Sequence, residues 1–171
     1  MMDGKGFFMF GFLTFGTTLT VTDLAIKNEI ERQDDSGFPR EMKGSKGWIK
    51  LYKNHNPGFS FGILKGSRVV EVVPLCITSG VAGAWVYMMG VRGRLAEKLA
   101  LTLVLAGGLS NLIDRIRRGY VVDYFSIQWN VLKKVVFNLG DIFIFLGSAI
   151  LVAVQAADGV RDWLKAKKTK E

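Results

Sequence analysis

The sequence carries one cysteine, one histidine and three prolines in 171 residues. A single cysteine, Cys76, excludes an internal disulfide, and its place inside a hydrophobic block reads as a small apolar side chain. The lone histidine, His55, stands between Asn54 and Asn56 in a loop-like stretch, so no His and Cys set has metal-ligand spacing. Serine-hydrolase chemistry is not expected. The chain also lacks internal repeats, low-complexity tracts and a heptad seam. Neither a metal nor a cofactor is expected.

Long hydrophobic runs are what the chain does have. Apolar residues make up 49% of it and come in blocks. A helix rises about 1.5 Å per residue and the hydrocarbon core is about 30 Å thick, so a span needs about 20 apolar residues. The expected fold is therefore mainly α and integral to a membrane. It is a four-transmembrane-helix bundle with spans at about 6–22, 69–91, 95–113 and 135–157, forming one membrane domain over 1–171. Lys5 could open a cleaved signal peptide. The apolar run that follows is long, however, shows no clear small-x-small site, and continues as a polar helix from Thr22 to Lys27. It reads as a retained anchor.

The net charge of +8 could indicate nucleic acid, but the basic residues lie in the connections and in the tail, at Lys165, Lys167, Lys168 and Lys170. Anionic phospholipid headgroups are the simpler partner, and no nucleic acid is expected. The positive-inside rule places the tail and the turn carrying Arg92, Arg94 and Lys98 in the cytoplasm, in keeping with an even number of spans.

Two connections differ in kind. The polar one, about 28–68, reads as a solvated loop broken by Gly37, Pro39, Gly44 and Gly47. From Trp48 to Leu64 it alternates as short strands around a turn at Asn56, Pro57 and Gly58, suggesting a small sheet on the membrane surface. Glu71, two residues into the second span, reads as lying at headgroup depth. The other connection lies within "GGLSNLIDRIRRGYVVDYFSIQW", Gly107 to Trp129, where an apolar helix runs into Asn111, Asp114, Arg115, Arg117, Arg118 and Asp123. The fourth span then opens with "VVFNLGDIF", expected to put Asn138 and Asp141 one turn apart on one helix face.

A carboxylate in a spanning helix costs about 2.5–3.5 kcal/mol on insertion scales, so Asp141 is a functional candidate. Antiparallel third and fourth spans joined by a short connection put Asp123 at the same membrane face. Two carboxylates a few ångströms apart cannot both ionise easily, and a pair sharing one proton is the apparatus of an aspartic protease. Taken alone, Asp123 would be a headgroup-level surface charge and Asp141 a hydrogen-bond acceptor between helices. Asn111, Asp114, Arg115 and Asn138 gathered near the same face favour a functional site.

These residues resemble a known family. "GGLSNLIDRIRRGYVVDYF" is similar to the G-G-x-x-G-N-x-x-D-R-x-x-x-G-x-V-V-D-F/Y signature of prolipoprotein signal peptidase (signal peptidase II), and "VFNLGDIFI" to its F-N-x-A-D-S-x-I signature. "TDLAIK" resembles its D-Q-x-x-K, and "NPGFSFGIL" its N-x-G-A-A-F. The resemblance implies a bacterial four-helix membrane aspartyl endopeptidase of the inner membrane, with both termini cytoplasmic and its catalytic pair near the outer face. It would cut prolipoproteins before a diacylglyceryl-modified cysteine and is expected to act as a monomer. By motif position Asp123 and Asp141 match the catalytic pair. Asn111, Asp114, Arg115 and Asn138 match supporting residues, and Asp23 and Asn56 match others at the site. Ser110 stands where the family usually has glycine, Gly140 and Ile142 where it has alanine and serine, Leu24 where it has glutamine, and Phe59 and Ser60 where it has two alanines.

Other readings compete. "NLGDIFIF" also resembles the G-x-G-D box of presenilin-type proteases, but the order Asp123-Tyr124 is reversed from theirs and no Pro-Ala-Leu box follows. A small transporter or proton relay using Asp141 and Asp114 would spread its charges along the membrane depth. A purely structural four-helix protein would need neither long motif.

Overall fold

The computed structural model describes residues 4–58 and 69–169. Helices α1 (Gly4–Arg32), α2 (Val69–Gly90), α3 (Leu95–Arg118) and α4 (Leu139–Lys168) build the molecule. Each contains a stretch long and apolar enough to cross a membrane. Side chains such as Phe10, Ile77, Val86, Phe145 and Val152 stand exposed around the bundle. In water this would be a liability; against lipid it costs nothing. The central helix is α3, which packs against the other three and alone has a mostly buried span.

The helices depart from the expected spans at their ends. The helix carrying the first span runs on to Arg32, because Asp23 and Lys27 are satisfied inside the protein and do not need water. Helix α3 continues past Ile113 to Arg118 and stops at Gly119, whose φ of 78° a residue with a Cβ rarely adopts. The fourth helix starts at Leu139, not at 135. Val135–Phe137 is held extended beside a strand instead, with the Phe137 N–H donating to the Phe125 carbonyl at 2.7 Å. Asn138 is thus the N-cap of α4, one turn before Asp141, and not a residue inside the helix as expected above.

A three-stranded antiparallel sheet, in order β1 (Arg40–Glu41), β2 (Ile49–Asn56) and β3 (Val121–Ile127), closes one end of the bundle. The segment Val121–Ile127, within the second connection, is thus a strand. It pairs Asn54 with Asp123 and Asn56 with Val121, with a register shift between Leu51 and Asn54. Val122 and Tyr124 of β3 pack on Ile30 of α1, while Val121 and Asp123 turn to the other side. This is the two-residue alternation of a strand covered on both faces. Beyond Asn56, Gly58 donates to the Asn56 side chain at 3.1 Å. Phe59, Ser60, the second half of the expected hairpin and the Glu71 side chain lie outside the described residues.

Helices α3 and α4 approach backbone to backbone. A Cβ on Gly107 would lie 2.1 Å from the Gly140 carbonyl oxygen, so the contact admits only glycine. Gly107→Ala should therefore cost about 1–3 kcal/mol through overpacking, read as a lowered thermal midpoint in detergent. Gly11→Ala, with nothing within 4 Å of its new methyl, should leave the midpoint unchanged.

Candidate active site

The site is built from the N-terminus of α4 outward. Asn138 adopts the extended conformation of an N-cap, and its side-chain oxygen accepts from the Asp141 N–H at 2.9 Å. The Asp141 carboxylate returns to the Asn138 N–H at 3.2 Å, completing a capping box. The same Asn138 side chain donates its amide to Asp123 Oδ1 at 2.8 Å. One asparagine thus ties both acidic residues together. Asp123 comes from β3 and Asp141 from α4, and the extended Val135–Phe137 segment beside β3 sets their register.

Each carboxylate has one further amide donor. Asn56, the last residue of β2, donates to Asp123 Oδ2 at 3.1 Å, and Asn111 of α3 donates to Asp141 Oδ1 at 2.9 Å. Asp123 is buried, contrary to the headgroup-level charge it would be on its own. Burial and the neighbouring Asp141 push its carboxyl up to about 7, against the lowering hydrogen bonds from Asn56 and Asn138. With its folded value raised above that of the unfolded chain, the group favours folding less as pH climbs from the ordinary carboxylate range through about 7.

Both carboxylates open onto a cleft of about 490 Å³, lined further by Asn56, Asn111, Arg115, Phe137, Ile144 and Phe145. Its lining is polar at the two carboxylates, Asn56, Asn111 and Arg115 and apolar at Phe137, Ile144 and Phe145. A smaller cleft of about 320 Å³ shares Asp123 and Asn56 and runs past Asn54, His55 and Lys134. His55 itself is tied to Glu31 at 2.7 Å.

Asp23 and Asp114, also expected at the site, do not line the cleft. They lie behind it around Lys27, whose ammonium is fully buried. Its Nζ sits 2.9 Å from Asp23 Oδ2, 3.2 Å from Asp114 Oδ2, 3.1 Å from Ser110 Oγ and 2.8 Å from Asn111 Oδ1. Ser110 donates to Asp23 at 2.6 Å, and Tyr124 donates its hydroxyl to the other Asp23 oxygen at 2.9 Å. Burial and Asp23 raise the Tyr124 phenol, keeping it a donor. Asp114 accepts from the Val122 N–H at 3.1 Å and pairs with Arg118. Arg118 also reaches Asn28. Asp114 reaches Asp141 only through Lys27 and Asn111, which stand between them.

Sequence reasoning missed Lys27, Tyr124 and Arg118. A lysine four residues after an aspartate in an apolar helix was the available signal for the first. The other two gave none, because a tyrosine beside an aspartate and an arginine at a helix end are common at any membrane surface.

Removing Lys27 leaves two buried carboxylates facing each other. Lys27→Ala should cost about 3–5 kcal/mol, seen as a large drop in the thermal midpoint in detergent. Lys27→Ala with Asp23→Asn should recover part of that loss.

Residues 16–156 match the family described as signal peptidase II. A lipoprotein signal peptidase of Allorhizobium ampelinum is 31% identical over 143 residues, covering 82% of this chain and 84% of that protein. One from Syntrophotalea carbinolica is 37% identical over 109 residues, 62% of this chain and 67% of its own. A solved bacterial membrane enzyme superposes with a TM-score of 0.73 at 24% identity, over 87% of this chain and 89% of that one. A pair of carboxylates tied together in a four-helix membrane fold, matched over nearly the whole length, leaves one conclusion: the chain is a multi-pass membrane peptidase and belongs to the signal peptidase II family.

Proposed function

We propose that this peptidase removes the signal peptide from diacylglyceryl-modified prolipoproteins, cutting before the lipidated cysteine, with Asp123 and Asp141 as its catalytic pair. The observation that carries the reading is the double tie of both carboxylates to Asn138 beside a half-apolar cleft. Lys27, Arg115 and Arg118 face Asp23, Asp114, Asp123 and Asp141, so one proton held on the pair makes the whole cluster neutral. The positive end of α4 and the Asn111 amide favour the remaining charge on Asp141, which leaves the proton to Asp123.

Chemistry follows from that division. Asp141 takes a proton from water as the oxygen attacks the scissile carbonyl carbon, while the Asp123 hydroxyl polarises the carbonyl oxygen. The tetrahedral intermediate collapses with cleavage of the C–N bond, and a carboxyl proton passes to the leaving amine. Asn56, Asn111 and Asn138 hold the pair. Asp23 and Asp114 hold Lys27, which in turn holds Asn111. Arg115 borders the cleft on the substrate side.

The whole chain is taken as one membrane domain acting as a monomer, since every group named above comes from one polypeptide. It sits in the bacterial inner membrane. The basic turn at Arg92–Lys98 and the tail at Lys165–Lys168 support cytoplasmic termini, with the sheet on the far side and anionic phospholipids at the tail.

Purified protein should cleave a diacylglyceryl-modified prolipoprotein in detergent, and Asp123→Asn and Asp141→Asn should each be folded and inactive. Near-parental cleavage by either variant would remove that residue from the chemistry. On the alkaline side kcat/KM should fall about tenfold per pH unit above about 7, as the last proton leaves the pair. Asn56→Ala removes a hydrogen bond that lowers Asp123, so its alkaline limb should move to higher pH. A limb that stays in place would contradict the assignment of that limb to Asp123.

A further inference from the structure

Two clefts reach Asp123. The larger, of about 490 Å³, continues along Ile144, Phe145 and Ser148, within the first three turns of α4. The smaller, of about 320 Å³, has no α4 residue in its lining among the described residues. It is lined by the end of β2 with Pro57, by Asp123 of β3, and by residues 134–136 of the connection that follows. Asn56, Asp123, Val135 and Val136 line both, so the two clefts meet where Asn56 donates to Asp123 at 3.1 Å.

The two arms differ in chemistry. Ile144 and Phe145 belong to an apolar span, whereas the arm at the sheet adds Asn54, His55 and Lys134. Asn54 stands opposite Asp123 in the register of β2 and β3. The His55 ring is fixed from two sides, by the Glu31 carboxylate at 2.7 Å and by the Tyr120 ring, with centroids 4.2 Å apart. Lys134 is exposed, and among the described residues no carboxylate lies within ion-pair distance of it. The sheet-side arm therefore joins a fixed polar wall to one unpaired ammonium. Such a lining complements a polar peptide, and a negatively charged one best.

A prolipoprotein has the same division of polarity about its cleavage point. The signal peptide before the cut is apolar, and the chain beyond the cysteine is destined for water. With the scissile bond held at Asp123 and Asp141, the apolar part falls along α4 and the polar part along the sheet.

We propose that the sheet-side cleft is the subsite for the residues that follow the lipidated cysteine, and that Lys134 sets its preference, favouring acidic side chains there over basic ones. The subsite rests on the prolipoprotein reading above and deepens it: the enzyme reads the start of the mature chain separately from the signal peptide. Because Lys134 is exposed, its pull is modest and screened by salt.

The test uses the full-length protein in a non-ionic detergent and lipopeptides identical in signal peptide and diacylglyceryl cysteine. The two residues after the cysteine are Asp-Asp, Ser-Ser or Lys-Lys; in two further peptides the acidic or basic pair is moved to the far C-terminus. The readout is the ratio of kcat/KM between substrates, which a general loss of activity leaves unchanged. At low salt the parent should cut the Asp-Asp peptide about fivefold better than the Lys-Lys one, and the preference should shrink at high salt. Lys134→Gln should abolish the preference and Lys134→Glu should reverse it. Lys165→Glu, in the last turn of α4, should keep the parental ratio. No preference in the parent, an unchanged ratio in Lys134→Glu, or an equal preference with the charges at the far C-terminus would overturn the subsite while leaving the peptidase reading intact. Failure of the parent to cut any of the lipopeptides would overturn both.

Discussion

The ammonium of Lys27 is the point on which the rest of this structure hangs. It has three N–H groups and four oxygens within 3.2 Å, contributed by Asp23 on its own helix and by Ser110, Asn111 and Asp114 of α3. No water reaches it. A lysine buried this way is tolerable only because the carboxylates around it are equally unable to stand alone, so α1 and α3 lock in one register. From that lock the consequences run outward. Asn111 must present its oxygen to Lys27, which leaves its amide to face Asp141. Asp23, held on one side by Lys27, accepts from Tyr124 and from the Leu139 N–H at 3.1 Å on the other. That seats the start of α4.

The same logic explains why the carboxylates of Asp123 and Asp141 are held by asparagine. An asparagine side chain offers both a donor and an acceptor and no charge. Asn138 can therefore cap a helix with its oxygen while its amide supports Asp123, without fixing which member of the pair carries the proton. A lysine or arginine in its place would hold both carboxylates ionised and remove the acid. The charged groups are kept one layer back, where they set geometry. Arg115, the only cation on the cleft wall among the described residues, contacts backbone carbonyls instead.

Two departures from the family pattern meet at one atom. Ser110, where glycine is usual, donates to Asp23 Oδ2. Gly140, where alanine is usual, would put a Cβ 3.0 Å from that same oxygen. A hydroxymethyl gained on α3 is offset in part by a methyl lost from α4 around Asp23. The pair reads as one local repacking of the cluster, with the carboxylates of Asp123 and Asp141 untouched.

The sequence made some of this legible and hid the rest, for identifiable reasons. Helices built from long apolar runs declare themselves, because nothing but lipid or a core accepts them. Polar residues in those runs also stand out, which is why Asp123, Asp141, Asn111, Arg115 and Asn138 were found. What the pattern could not convey was direction. Asp114 and Asp141 look alike in sequence, yet one faces Lys27 and the other the cleft, since the difference is a rotation about a helix axis. Nor could it show that "VVDYF" is a strand, because both of its faces are covered and the alternation that betrays a half-buried strand is masked. The extended Val135–Phe137 segment was misread as helix for a related reason: its apolar side chains fit either state, and only pairing with Phe125 decides between them. Such long-range pairing sets the register of Asn138 against Asp123, and with it the geometry of the pair.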